Sequence, residues 1–290
     1  MRIRATLVAA VSGALALSAL AVPAAQADGP GGVNLDKTTA AERFGTPAAS
    51  ANSTFSAAAA EELPTVSKVT VNSGKALVVG TTYAKTITVS LTASHPAGVV
   101  DAYIDLWHGT DVETDIDGYL APNEEVANCT ASSATTSTCK LTITAVPGDD
   151  LYKNALAGTW KVTAGVLSGD GSIYWNDYQK THRVQRYSKL TVNAAPEPVK
   201  KGATLTVTGK LTRANWETFR YAGYTNQAVK LQFRKKNSNT YTTVKTLKTN
   251  STGNLKTTVK ASVDGYHRYN FEGTSTTPAV KAAGDFVDVK

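Results

Sequence analysis

Asp111, Glu113, Asp115, Asp117, Glu124 and Glu125 crowd into residues 111–125, the one stretch of the chain where carboxylates gather at metal-ligand spacing. Calcium takes roughly six to eight hard oxygens on a backbone that turns tightly, which suits alternate carboxylates followed by glycine. Laid on a calcium loop, Glu113 takes the first ligand position, Asp115 the third, Asp117 the fifth and Glu124 the last, with Gly118 at the turn. Ala121 at a ligand position, Pro122 where an exit helix would begin, and strand-like flanks all depart from a helical calcium hand. The expectation is therefore a Ca2+-binding Asp-x-Asp-Gly loop between strands, weighed against a solvated acidic turn, which the residue types alone favour.

Aromatic residues form the second group that could do chemistry. Tyr174, Trp175 and Tyr178 follow a Gly-Asp-Gly turn, and Trp216, Phe219, Tyr221 and Tyr224 lie between two strand patterns. Flat rings exposed together suit sugars or a protein partner. The competing reading, preferred for Trp216–Tyr224, is that this insertion folds back and fills a seam. Trp107 lies opposite the apolar face of its strand and is expected to be exposed beside the acidic loop, whereas Trp160 belongs to a core face.

Catalysis finds little support. His95, His108, His182 and His267 are scattered, with no His-Glu-x-x-His pair and no Gly-x-Ser-x-Gly elbow. Paired carboxylates occur at Asp115/Asp117 and Glu124/Glu125, but glycosidases need two across a cleft, and neighbours on one loop rarely supply that.

These residues need a framework, and period-two alternation supplies it. Ile87/Val89/Leu91, Val100/Ala102/Ile104/Leu106, Leu141/Ile143 and Trp160/Val162/Ala164/Val166 read as strands with one buried face, separated by turn formers such as His95-Pro-Ala-Gly98 and Pro147-Gly-Asp-Asp150. The alternation resumes in Leu190/Val192, Leu205/Val207/Leu211, Val229/Leu231/Phe233, His267/Tyr269/Phe271 and Val287/Val289. No Gly, Pro or polar linker interrupts residues 185–192, so the junction there is expected to be stiff. Arg2, Arg4, the apolar run from Ala5 to Val22 and Ala25-Gln26-Ala27 read as a signal peptide over 1–27. Residues 28–63, rich in Ala, Ser, Thr and Gly, read as a disordered low-complexity spacer.

Cys129 and Cys139 are the only cysteines. An even pair in an exported chain is most simply a disulfide, contributing about 3 kcal/mol in the chain-entropy model. The net charge of +7 is unevenly spread. Residues 64–187 carry 9 basic against 12 acidic side chains, and residues 188–290 carry 17 against 6. The basic half includes Lys200-Lys201 and Arg234-Lys235-Lys236, with no nucleic-acid motif and no aromatic interleaving on one strand. Outside a cell such charge meets anionic polymers by long-range attraction, although a solvated face that protects strand edges is the commoner meaning.

Pro196-Glu-Pro198-Val-Lys-Lys-Gly202, Leu205-Thr-Val-Thr-Gly209, Val229-Lys-Leu-Gln-Phe-Arg234, Tyr241-Thr-Thr-Val-Lys245 and Asp264-Gly-Tyr-His-Arg-Tyr-Asn-Phe271 resemble the bacterial Ig-like domains of secreted actinobacterial proteins. The resemblance covers 188–290; Ala157-Gly-Thr-Trp160-Lys-Val carries a shorter one in 64–187. It implies fold and compartment and no catalytic residues, since such modules mostly bind or space. The expected protein is all-β: two Ig-like antiparallel β-sandwich domains in tandem, an acidic disulfide-stapled one over 64–187 and a basic one over 188–290. It is expected to be a secreted monomer with no membrane segment after signal removal, acting as a non-enzymatic binding or adhesion module. The expected partner is an anionic cell-wall polymer or polysaccharide, with non-covalent wall association an option. The alternatives are a carbohydrate-active hydrolase or an ancillary domain of one, a structural spacer, and an inhibitor of secreted enzymes.

Overall fold

The period-two runs form strands because β-branched residues pack well on a pleated surface and alternate side chains reach a common core. A computed structural model describes residues 35–45 and 62–290. The expected signal peptide and residues 28–34 and 46–61 of the expected spacer lie outside these.

The first sandwich comprises β1 (Thr65–Val71), β2 (Leu77–Val79), β3 (Lys85–Ser94), β4 (Val99–Asp111), β5 (Asp115–Leu120), β6 (Asn128–Ala131), β7 (Thr136–Ala145), β8 (Gly158–Ser168) and β9 (Ile173–Arg186). One sheet runs β1-β3-β7-β6 and the other β2-β9-β8-β4-β5, antiparallel throughout except for the parallel β2/β9 pair. Ile87, Val89, Leu91, Leu141, Ile143, Ile104, Leu106, Trp160 and Val162 fill the space between the sheets. Cys129 and Cys139 face each other across β6 and β7 and are bridged.

The second sandwich comprises β10 (Ser188–Leu190), β11 (Asn193–Ala195), β12 (Thr204–Asn215), β13 (Arg220–Gly223), β14 (Ala228–Lys235), β15 (Thr242–Lys248), β16 (Asn254–Lys260), β17 (Gly265–Phe271), β18 (Val280–Lys281) and β19 (Asp285–Val287). In one sheet β12 is the spine, paired with β10 and β11 along one edge and with β13 and β16 along the other; the second sheet runs β15-β14-β17, with β18 and β19 on β17. Leu205, Val207, Leu211, Val229, Leu231, Tyr269 and Phe271 form its core.

The seam between the sandwiches is packed. Trp216, just beyond β12, is fully buried and belongs to the core of the first sandwich together with Ala214. Asn154 donates its side-chain amide to Asn215 Oδ1 at 2.9 Å and accepts the Trp216 N–H at 3.0 Å, while its own N–H donates to Glu217 at 2.8 Å. Arg186, at the end of β9, donates from Nε to the Ala214 carbonyl at 2.6 Å. Phe219, with a left-handed φ of 56°, lays its ring over Gly148, which has no room for a Cβ.

Three sequence expectations need correction. Val100 is not on the buried face: a bulge between Val99 and Asp101 leaves it 56% exposed. The acidic stretch is not one loop: Asp111 ends β4, Asp115 opens β5, residues 112–114 form the turn between them, and of its carboxylates only Glu124 and Glu125 lie in the connection from β5 to β6. Finally, residues 35–45 are ordered. They carry the short helix α1 (Ala40–Phe44), whose Thr39/Glu42 capping box satisfies the first turn, and they lie against the β4-β5-β8-β9 sheet.

Candidate functional site

The acidic hairpin spends its carboxylates locally. Asp111 Oδ1 accepts the Glu113 and Thr114 N–H groups and the Thr114 hydroxyl, the turn-forming use of aspartate. Asp115 Oδ2 accepts the Thr110 N–H and hydroxyl. Asp117 lies 2.5 Å from His108 Nδ1 and 2.9 Å from Lys153 Nζ. Burial works against its charge, yet the hydrogen bonds from His108 and Lys153 outweigh this and hold its pKa below the usual range. Glu124 is turned to the opposite sheet, where its two oxygens accept the Thr142 N–H and hydroxyl, each at 2.7 Å. Glu113, Asp115, Asp117 and Glu124 thus do not converge, and among the described residues no three His, Cys, Asp or Glu side chains gather where they could hold a metal ion. The donor types suit Ca2+; their placement does not.

The aromatic candidates are dispersed. Trp107, expected to be exposed, is fully buried on the outer face of β4, donating from Nε1 to the Asp177 carbonyl at 2.9 Å. The outer face is covered, so alternation no longer marks solvent. Trp216 is core, Tyr221 lies at the seam against Gly80 and Tyr187, and Tyr224 is buried beneath the Arg213 guanidinium at 3.9 Å. Tyr174 is half-buried, donating to Gln179. Tyr178 is half-exposed, edge-on to Trp107. Trp175 stacks on Tyr103 with centroids 5.1 Å apart and takes Phe44 edge-on at 6.0 Å.

Residues 35–45 cover this outer face. Lys37 Nζ sits 3.2 Å from Asp105 and 2.6 Å from Asp177, with only 4% of its side chain exposed. Asp105 is fully buried, and burial raises its pKa more than Lys37 lowers it. For Lys37, burial opposes the charge, but the two carboxylates prevail and raise its pKa. Arg43 pairs with Asp101 at 2.9 Å and donates to the Ala102 carbonyl. The Tyr119 hydroxyl accepts the Thr38 N–H and donates to the Thr38 hydroxyl, and it meets the Tyr103 hydroxyl at 2.7 Å. Gly165 on β8 admits all this, because a Cβ there would strike the Trp175 and Phe44 rings.

A second cluster lies on the outer face of the second sandwich, where β14 and β17 pair. Arg234 stands opposite Tyr266, and Gln232 opposite Arg268. The Arg234 guanidinium lies 3.8 Å from the Tyr266 ring centre, and that of Arg268 lies 3.6 Å from Tyr241. Arg234 also approaches Tyr241 at 5.4 Å, which joins the four into a zigzag ladder. Phe286 extends it beside Tyr266 at 5.1 Å, with Lys236 above its ring. Arg268 donates from Nε to Gln232, and Arg234 donates to the Ser238 carbonyl. Stacking holds the guanidinium planes in place while leaving edge donors for an acidic group. Arg234 was visible as part of a basic run; Tyr241, Tyr266 and Arg268 were not, because their rungs form across strands.

No family model matches the chain, and no curated protein does. Among solved structures, the D0-D1 domain of intimin aligns over 78% of this chain and 99% of its own, at 16% identity and a TM-score of 0.27. The adhesin InvE of Yersinia pseudotuberculosis aligns over 76% of this chain and 58% of its own, at 15% identity and 0.25. The full ectodomain of mouse nectin-like molecule 4 aligns over 79% and 65%, at 16% identity and 0.22. At such scores the likeness carries no functional information. What the chain's own geometry establishes is an all-β fold of two Ig-like antiparallel sandwiches in tandem.

Proposed function

We propose that the chain is an extracellular, non-enzymatic binding protein whose second sandwich holds an anionic polymer, of the cell wall or a polysaccharide, along the outer face of β14 and β17. The observation that carries this reading is the Tyr266–Arg234–Tyr241–Arg268 ladder. Guanidinium groups recognise phosphate and carboxylate through paired N–H donors, and stacking on rings reduces the side-chain freedom lost on binding. Lys235 and Lys236 flank the ladder and add long-range attraction. The first sandwich and the packed seam serve as a mount. A hydrolase reading gains nothing from the carboxylate pairs: Asp115 bonds within its hairpin, Asp117 pairs with His108 and Lys153, and Glu124 bonds to β7.

The test is binding of the chain from Asp28 onward to immobilised poly(glycerol phosphate) and to heparin across a salt series. Affinity falls as salt rises, and Arg234→Ala with Arg268→Ala lowers it about tenfold or more while flattening the salt dependence. Binding that ignores salt, or that survives the double variant unchanged, would count against the reading.

A further inference from the structure

The covered face of the first sandwich has a composition that its fold does not require. Asp101, Tyr103, Asp105 and Trp107 alternate along the outer side of β4, and Trp175 and Asp177 stand beside them on β9. Inward, the same strand presents Ala102, Ile104 and Leu106 and is an ordinary core strand. Carboxylates set among rings are the surroundings that select a cation. An uncompensated buried carboxylate is costly, so Asp105 calls for an occupant bearing positive charge.

Residues 35–45 meet that need chiefly through side chains. They form no strand of their own, and among the described residues their backbone N–H groups donate to the face from Leu35, to the Ile116 carbonyl, and from Thr38, to the Tyr119 hydroxyl. The anchors are the Lys37 ammonium between Asp105 and Asp177, the Arg43 guanidinium on Asp101, and the Phe44 ring against Trp175. Five residues of helix are too short to persist alone in water, so α1 owes its order to the face it covers. This is how a peptide ligand sits in a groove.

We propose that this face is a recognition groove for a Lys-x5-Arg-aromatic peptide, and that besides residues 35–45 of its own chain it accepts the same residues of a second copy. The chemistry is identical in the two arrangements, so the contacts neither gain nor lose by exchange. What differs is the tether. Residues 46–61 join the strap to the strand β1, and fully extended they span at most about 55 Å, enough to reach a neighbouring molecule. Within one chain that tether supplies a millimolar effective concentration, so the self-bound form prevails when protein is dilute and exchange grows as copies crowd at a surface. Reciprocal exchange closes a dimer; one-way exchange builds an open string of copies. The groove lies on the first sandwich and is independent of the polymer-binding face proposed for the second.

Complementation between two full-length variants tests this. Lys37→Ala with Arg43→Ala leaves a groove without a competent strap, and Asp105→Asn with Asp177→Asn leaves a strap without a competent groove. Alone, each is monomeric in sedimentation; mixed, they form a one-to-one heterodimer that does not appear when the strap-bearing partner also carries Lys37→Ala. Circular dichroism shows whether each variant is folded. If either is not, the wild-type chain carrying an inserted protease site between residues 46 and 61 is cleaved after folding. A labelled peptide of residues 35–45 then displaces the severed strap, and its Lys37→Ala version binds at least about tenfold more weakly. Folded variants that stay monomeric when mixed, or a severed strap that millimolar peptide cannot displace, would overturn the proposal.

Discussion

His182 stands opposite Trp160 across β8 and β9, and burial, assisted by Lys180, lowers its pKa to about 4. Its Nε2 is buried without a hydrogen-bond partner among the described residues, so the folded state holds the ring neutral. The unfolded chain takes up a proton near pH 6.5 and the folded one only near 4. Stability from this group is therefore complete above pH 6.5 and is lost as pH falls towards 4, on the order of 1–2 kcal/mol once partial solvation is allowed for. Melting temperatures measured between pH 7 and pH 5 should fall for the wild type and stay flatter for His182→Leu; parallel curves would refute the assignment. The hairpin carboxylates yield a second residue-scale prediction. Because Asp115, Asp117 and Glu124 already accept hydrogen bonds at separate places, neither millimolar Ca2+ nor EDTA should move the melting temperature. Asp117→Asn should destabilise by roughly 1–3 kcal/mol by weakening the charge-assisted contacts to His108 and Lys153. A calcium-dependent rise that Asp115→Asn with Asp117→Asn abolishes would restore a metal at this hairpin.

At the scale of elements, the strap and β4 form one energetic unit. Lys37→Met strands the buried Asp105 carboxylate and should cost about 3–5 kcal/mol, whereas adding Asp105→Leu should recover much of that, because a buried pair replaced by apolar groups is often close to neutral. Urea melts of the two singles and the double measure the coupling, and additive losses would show that the pair does not interact. The raised Lys37 pKa has its own consequence. Its contribution is intact below the unfolded value of 10.5 and disappears as pH climbs through the higher folded value, so the strap should come loose in strong alkali before β3 and β7 part. The strands themselves were legible, since Ile87/Val89/Leu91 and Leu205/Val207/Leu211 fix both period and inward face. The strap was not, because Lys37 and Arg43 lie in an Ala- and Thr-rich stretch and their partners Asp101, Asp105 and Asp177 come from β4 and β9. A clue was present in β4, where Tyr103 and Trp107 occupy what alternation assigns to solvent. The Arg234 ladder is not legible for a similar reason: its cations and rings meet across strands, the rings coming from β17 and from the segment before β15.

The whole molecule is governed by one strand that serves two cores. β12 places Leu205, Val207 and Leu211 in the second core, and near its end the opposite face sends Ala214 and the following Trp216 into the first. Arg186 bonds back to the Ala214 carbonyl, and Gln185 donates to the Thr274 and Ser275 carbonyls. Melting either sandwich therefore strips apolar cover from the other and leaves seam donors and acceptors to be resolvated. Such mutual dependence predicts a single calorimetric transition for the chain from Asp28 onward, with van't Hoff and calorimetric enthalpies in agreement. Trp216→Ala removes the indole that crosses the seam, at a cost of about 3–5 kcal/mol if the cavity does not collapse. Because the indole lies in the first core, the loss falls on that sandwich, whereas Leu205 to Leu211 still close the second. The variant should then melt in two steps, the first sandwich earlier, with Trp107 and Trp160 fluorescence changing in the lower step. Two separated transitions already in the wild type would mean that the seam is contact without coupling. A single transition in Trp216→Ala, merely shifted down, would assign the coupling to the Arg186, Gln185 and Asn154 hydrogen bonds instead.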